Sequence, residues 1–169
     1  MRKINKSQIL EIITDINNEL SRMDQLEKEI KETYEKIPQY PELITMLHES
    51  LALKLHNFYT GCERIFQIIA DELNGGKPSS FDWHRRLLER MANEQIDRPC
   101  VITIDTVKQL KDYLGFRHIV RNIYGFELDT NRLKILIDNY FIVWHNFKED
   151  INNFLAWLDQ LKDSIEDLD

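Results

Sequence analysis

Cysteine, glycine and proline are scarce in this sequence, and the scarcity of each one argues against a class of protein. Only Cys62 and Cys100 are present, and neither has a second cysteine at CxxC spacing. A disulfide framework is therefore excluded, and a reduced, cytoplasmic location is expected. Five glycines and four prolines among 169 residues are too few for a chain rich in turns, so the composition favours a helical protein.

Long apolar runs and an excess of positive charge are absent as well. No stretch approaches the ~20 apolar residues that a membrane-spanning helix needs, so we expect no membrane association. The net charge of −7 argues against a surface built throughout for nucleic acid, because neutralising phosphates requires Lys and Arg. A local basic patch remains possible, since residues 108–121 contain four cations and one acid.

The spacings typical of metal and nucleotide sites are also missing. None of the five histidines has an acid three residues before it, and there is no HExxH and no paired-cysteine zinc spacing. Gly75-Gly76-Lys77 lacks the spacing of a P-loop and is interpreted as a helix terminus. Cys62 lies on an apolar stripe and is interpreted as a small core residue. We therefore predict no metal and no cofactor.

Apolar residues recur at the three-and-four spacing of amphipathic helices in four long segments and one short segment. The turns between the long segments are short, so neighbouring helices must lie antiparallel. We predict an all-α fold, an antiparallel helical bundle of four long helices plus a short one, in a single domain that spans residues 1–169.

Some details of these helices can be predicted too. Ser7 is a plausible N-cap for the first helix. Thr103 or Asp105 is the candidate N-cap of the fourth helix, and Gly125 would end that helix. Glycine inside a helix costs roughly 1 kcal/mol of stability relative to alanine. Gly115 inside the fourth helix therefore predicts a close backbone approach or a kink. The short third helix is predicted to bury Phe81, Leu87, Leu88 and Met91.

Residues 116–124, with the sequence FRHIVRNIY, form the most unusual stretch of the chain. At about 100° per residue, Arg117, Arg121 and Tyr124 fall on one strip of the fourth helix, beside an apolar strip that anchors it. His118 and Asn122 share the side farthest from the apolar strip. We therefore expect all of these polar groups to point outward.

This stretch suits an anionic partner better than an ordinary solvated helix face. Arg117 and Arg121 repel each other at i,i+4, and no acid lies between Gly115 and Gly125. Arginine offers charge and a bidentate fork for phosphate, histidine can move a proton near neutral pH, and tyrosine can stack on a base. Residues of these three types can provide the proton transfer, the positive charge and the substrate contacts that RNA cleavage requires. An intramolecular ion network or a protein interface would use the same residue types.

Two further segments each allow two interpretations. Tyr59 and Glu63 lie four apart on one helix face: Glu63 either forms a surface ion pair beside a half-buried Tyr59, or orients an arginine of the fourth helix. The block WHRRLL at residues 83–88 is either a basic rim or, more simply, a solvated face with Trp83 turned inward.

The blocks FYTGCER at residues 58–64, WHRRLL at 83–88 and FRHIVRNIY at 116–124 occur in that order. Together they resemble the HEPN domains, in particular the HepT-like toxins that are encoded beside minimal nucleotidyltransferase (MNT) antitoxins. The helical motif of that family reads Arg-Asn-x-x-x-His-x-Tyr. Arg117 matches its first position and Tyr124 its last.

The resemblance implies a function and partners. It implies an all-α homodimer in which two copies of the motif face one cleft, and a metal-independent ribonuclease that cleaves RNA such as tRNA or mRNA. It also implies an MNT-type nucleotidyltransferase antitoxin, which in some systems transfers AMP onto the motif tyrosine, here Tyr124. The catalytic residues would be Arg117, His118, Arg121 and Asn122, with Tyr59 and Glu63 in support.

The motif departs from the family pattern at two positions. His118 stands where the family has Asn, and Asn122 stands where the family has His, although an amide cannot transfer a proton as imidazole does. Either His118 has taken over the proton transfer, or the chain is a non-catalytic helical module that binds RNA, a nucleotide or a protein. A structural coiled coil comes third, since the helices break at Pro38, Gly75 and Gly125.

Overall fold

The computed structural model describes residues 4–122 and 128–165, except for the side chains of residues 119, 121 and 122. Within these ranges the chain forms five α-helices and no strand, which confirms the predicted all-α bundle of four long helices and a short one. None of the helices in the described ranges is apolar over a length that would cross a membrane. The helices are α1 (Lys6–Lys36), α2 (Ile44–Leu73), α3 (Trp83–Met91), α4 (Ile104–Asn122) and α5 (Thr130–Ser164).

The five helices bury one continuous apolar core, and α2 lies at its centre. Phe58 of α2 is fully buried and meets the rings of Tyr113, Tyr140 and Trp144 edge-on. Trp144 also donates a hydrogen bond of 3.1 Å to Glu27, which joins α5 to α1. Long apolar stripes at helical spacing account for this packing. The assignment of residues 1–169 to a single domain stays a prediction.

The helix starts differ in part from the sequence prediction. Asn5, not Ser7, caps α1, because its side chain accepts a hydrogen bond from the Gln8 backbone while the Gln8 side chain accepts one from the Asn5 backbone. This reciprocal capping box satisfies two amides that the first turn leaves unpaired. At the start of α4, Thr103 accepts a hydrogen bond of 3.2 Å from the Thr106 backbone, in agreement with the Thr103 alternative.

Two predictions concern the connection between α2 and α3, and the structure confirms one and contradicts the other. Gly75 and Gly76 have φ values of 68° and 110°, so this segment is a helix terminus, as predicted. Phe81, which was predicted to be buried, is fully exposed. It lies in the turn before α3, so helical spacing does not apply to it, and Trp83 packs against the core instead.

A buried arginine fixes the connection between α3 and α4. Arg98 is 3% exposed and donates hydrogen bonds to the Asn74 side chain at 2.9 Å and to the Pro99 carbonyl at 2.8 Å. Burial, followed by the charge of Arg90, lowers the pKa of Arg98 to about 10. The contact with Asn74 ties this connection to the end of α2, which helps to hold α3 against α2.

At Gly115 a side chain comes close to the backbone of α4, in line with the close-approach alternative. A Cβ atom at this position would lie 3.1 Å from Nη2 of Arg132 on α5. The missing side chain therefore leaves room for the Arg132 guanidinium against α4. The predicted end of α4 at Gly125 lies outside the described residues.

Candidate functional site

Three helices bring a carboxylate, an imidazole and a guanidinium together at one place. Glu63 comes from α2, His84 from α3 and Arg117 from α4. Nδ1 of His84 lies 2.5 Å from Oε2 of Glu63, and Nη2 of Arg117 lies 3.5 Å from Oε1 of the same carboxylate. Nη1 of Arg117 lies 3.2 Å from Nδ1 of His84. We call Glu63, His84 and Arg117 the buried cluster.

The short distance between His84 and Glu63 defines which ring nitrogen carries a proton. A carboxylate can only accept a hydrogen bond, so Nδ1 of His84 must be the donor. Arginine is also only a donor, so its approach to Nδ1 is a close contact and not a second hydrogen bond. Glu63 therefore holds the ring with Nδ1–H toward itself, and Nε2 is the nitrogen that this hydrogen bond does not use.

Glu63 and Arg117 are both deeply buried, with exposed fractions of 3% and 8%. The prediction that Arg117 points outward is therefore wrong. Helices α2 and α3 cover that side of α4 and supply the carboxylate that the local sequence lacks. Nε of Arg117 is buried and forms no hydrogen bond within the described part of the chain.

His118 is exposed, in agreement with the expected outward direction. Its ring meets that of His84 edge-on, with 5.8 Å between the centroids. One imidazole held by a carboxylate thus lies next to a second one at the surface. The side chains of Arg121 and Asn122, and the whole of Tyr124, lie outside the described residues, so their assigned roles stay predictions.

Tyr59 lies one turn before Glu63 on α2 and is fully buried, so the half-buried position considered for it is wrong. Its hydroxyl has no hydrogen-bond partner among the described residues. Burial, followed by the negative charge of Glu63, raises the pKa of Tyr59 well above its ordinary value, so the phenol stays neutral near pH 7. Tyr59 therefore provides an uncharged side chain next to the buried cluster.

The alternative of a surface ion pair for Glu63 is wrong too. Arg64 instead lies 3.5 Å from Glu19 of α1, and Glu63 contacts an arginine of α4, as the other interpretation predicted. The structure shows this contact, whereas a supporting role of Glu63 in catalysis stays a prediction.

One part of the block at residues 83–88 fits the interpretation as a solvated face, and another part does not. Arg85 is solvated and pairs with Asp82 at 2.8 Å, as expected for a surface face. His84, in contrast, turns inward and stacks on Trp83 with 3.6 Å between ring centroids. Nζ of Lys77 lies 4.3 Å from the centroid of the Trp83 ring, a cation–π contact with the same indole.

Sequence reasoning missed His84 as a site residue. It stands in the second block of the family resemblance, which was the available signal, but no periodicity marks it as different from its neighbours. Its contact with Glu63 joins residues far apart in the chain, and only the packing of α3 on α2 reveals it.

Two observations concern metal ligands and thiols in the described ranges. No group of three or more His, Cys, Asp or Glu side chains within them is arranged to hold a metal ion. Cys62 is fully buried in the core, as predicted, and burial raises the pKa of its thiol well above the ordinary value.

A family model described as HepT-like protein matches residues 50–158, a range that covers more than half of the chain. The matched range contains Glu63, His84, Arg117 and His118, whereas α1 precedes it. No curated protein and no solved structure matches the chain.

Proposed function

The chain belongs to the HepT-like family, and we propose that it is the toxin of a toxin–antitoxin system, a metal-independent endoribonuclease that acts on tRNA or mRNA in the cytoplasm. The observation that carries the proposal is the buried cluster beside the exposed His118. Burying charged groups is costly, so a carboxylate and a guanidinium held against an imidazole suggest a functional arrangement.

Each motif residue has a role in this proposal. His118 exchanges a proton with the RNA, since imidazole is the side chain suited to this near neutral pH. Arg121 and Asn122, on the last turn of α4, hold the phosphate. Arg117 acts indirectly, because it is 8% exposed and pairs with the Glu63 carboxylate. Tyr124 contacts the RNA, and two copies of the motif face one cleft in a homodimer.

Cleavage of RNA without metal is the direct test. We expect purified protein to shorten total tRNA or mRNA in EDTA, and His118→Ala to be about 100- to 10,000-fold slower, the usual contribution of a general acid or base. His145→Ala is the matched control, since His145 is exposed on α5, where Nε2 lies 3.9 Å from the Glu149 carboxylate. The products can be followed on denaturing gels. If the wild type leaves every RNA intact, the ribonuclease proposal is wrong.

The antitoxin partner predicts a covalent mark on the toxin. After co-expression with an MNT-type nucleotidyltransferase, we expect the intact mass to rise by about 329 Da for each AMP unit added to the Tyr124 hydroxyl. Tyr124→Phe should show no increase, whereas Tyr40→Phe, which changes an exposed tyrosine elsewhere, should keep it. An unchanged mass of the wild type, or modification of Tyr124→Phe, would contradict AMPylation at this residue.

A non-catalytic binding module is the second candidate. Two observations favour it: Glu63 already neutralises Arg117 within the fold, and Asn122 occupies the position of the family's histidine. The same incubation in EDTA separates the two functions. Retarded migration of RNA on native gels, with no shortened products on denaturing gels, would select the module.

A further inference from the structure

The contact between His84 and Glu63 points to a catalytic group outside the family motif. We propose that His84 is the general base of the reaction and that His118 is the general acid. This inference rests on the proposed ribonuclease function. It accounts for how a chain with Asn122 in place of the motif histidine can still provide two proton-transfer groups.

Glu63 prepares His84 for this role. The hydrogen bond of 2.5 Å directs Nδ1–H toward Glu63, so Nε2 is the ring nitrogen that can take up a proton from the substrate. The carboxylate also stabilises the imidazolium that forms when Nε2 takes up a proton. Because Glu63 is almost entirely buried, water screens this interaction little.

Arg117 and Trp83 are positioning residues in this arrangement. Arg117 contacts the second carboxylate oxygen of Glu63, so the carboxylate is held from two sides. Trp83 stacks on the imidazole and restricts its rotation. About 16% of the His84 side chain remains exposed, so the ring is not sealed inside the protein.

The second imidazole lies where a base and an acid could act on one phosphate. The ring centroids of His84 and His118 are 5.8 Å apart. Proton transfer needs roughly 2.6–3.2 Å between heavy atoms, so two rings at this separation can serve the attacking and the leaving oxygen of a single phosphodiester.

Cleavage transfers one proton to His84 and one proton from His118. Nε2 of His84 takes the proton from the ribose 2′-OH, and the 2′-oxygen forms a bond to phosphorus. The bond from phosphorus to the 5′-oxygen breaks, and protonated His118 gives its proton to that oxygen. The products are a 2′,3′-cyclic phosphate and a free 5′-hydroxyl. Exchange with water returns both histidines to their starting protonation states.

Substitution of His84 by glutamine is the primary test. The glutamine amide can still donate a hydrogen bond to Glu63 but cannot accept a proton. We expect cleavage of RNA by His84→Gln to be about 100- to 10,000-fold slower, with an unchanged circular dichroism spectrum. In His84→Ala, added imidazole should restore part of the activity, a result that a merely structural role for His84 would not produce.

A modified substrate then distinguishes the base from the acid. Once the cleaved bond is mapped, its 5′-bridging oxygen is replaced by sulfur, because a thiolate leaves without needing a proton. We expect His118→Ala to cleave this RNA nearly as fast as the wild type, whereas His84→Gln remains slow.

Three results would overturn the inference. These are wild-type rates in His84→Gln, a lack of rescue of His84→Ala by imidazole, and recovery of His84→Gln on the sulfur substrate. Each of them leaves the ribonuclease proposal standing as long as the wild type cleaves RNA. If the wild type does not cleave RNA, the proposed function itself fails and takes the inference with it.

Discussion

Replacing Arg117 with alanine is expected to lower the free energy of unfolding by about 3–5 kcal/mol, the usual cost of removing one partner of a buried ion pair. Glu63 is 3% exposed, and Arg117 is the only guanidinium that contacts its carboxylate among the described residues. Without Arg117, a negative charge would stay in the interior with the His84 imidazole as its remaining partner. Urea unfolding followed by circular dichroism measures the loss.

Two comparisons show whether charge compensation is the cause. Arg85→Ala removes an arginine from a solvent-exposed pair with Asp82 and should cost no more than about 1 kcal/mol. The double variant Arg117→Ala/Glu63→Gln should be more stable than Arg117→Ala, because the amide is neutral and can still accept the hydrogen bond from His84. If Arg117→Ala lowers the free energy of unfolding no more than Arg85→Ala does, burial of the Arg117–Glu63 ion pair is not important for stability.

Phe58→Ala is expected to lower the free energy of unfolding by about 3–5 kcal/mol, through lost burial and the cavity left behind. The ring is fully buried, and its centroid lies 5.3 Å from that of Tyr113, 5.1 Å from that of Tyr140 and 6.2 Å from that of Trp144. Those neighbours come from α4 and α5, so truncation would loosen three helices at once. The same urea experiment gives the value.

Phe81 provides the matched control for Phe58. It is the same residue type, but its side chain is fully exposed, so Phe81→Ala should change the free energy of unfolding by no more than about 0.5 kcal/mol. Similar losses for the two variants would mean that the ring contacts of Phe58 do not dominate the stability of the core.

Sequence pattern predicted the helices well because each long stripe repeats at helical spacing over many residues. Such repetition makes a single misplaced residue unimportant to the identification of a helix. Phe81 and Ser7 show where this fails: both lie at helix starts, where the choice depends on local hydrogen bonds such as the capping box of Asn5 and Gln8.

The candidate site was predictable only in part. The sequence marked Arg117 and His118 as unusual, and it offered Glu63 as a partner for an arginine. It could not show that α2 and α3 cover Arg117, because the burial of one helix face depends on how other helices pack against it. His84 was missed for the same reason, since its contact with Glu63 is formed between two helices.

The order of the cluster along the chain has a consequence during protein synthesis. Glu63 and His84 leave the ribosome before Arg117, which lies on the next helix after an intervening connection. A chain that stops within that connection would contain Glu63 and His84 but neither Arg117 nor His118. If the protein is a toxin, prematurely terminated copies would therefore be harmless to the cell that makes them.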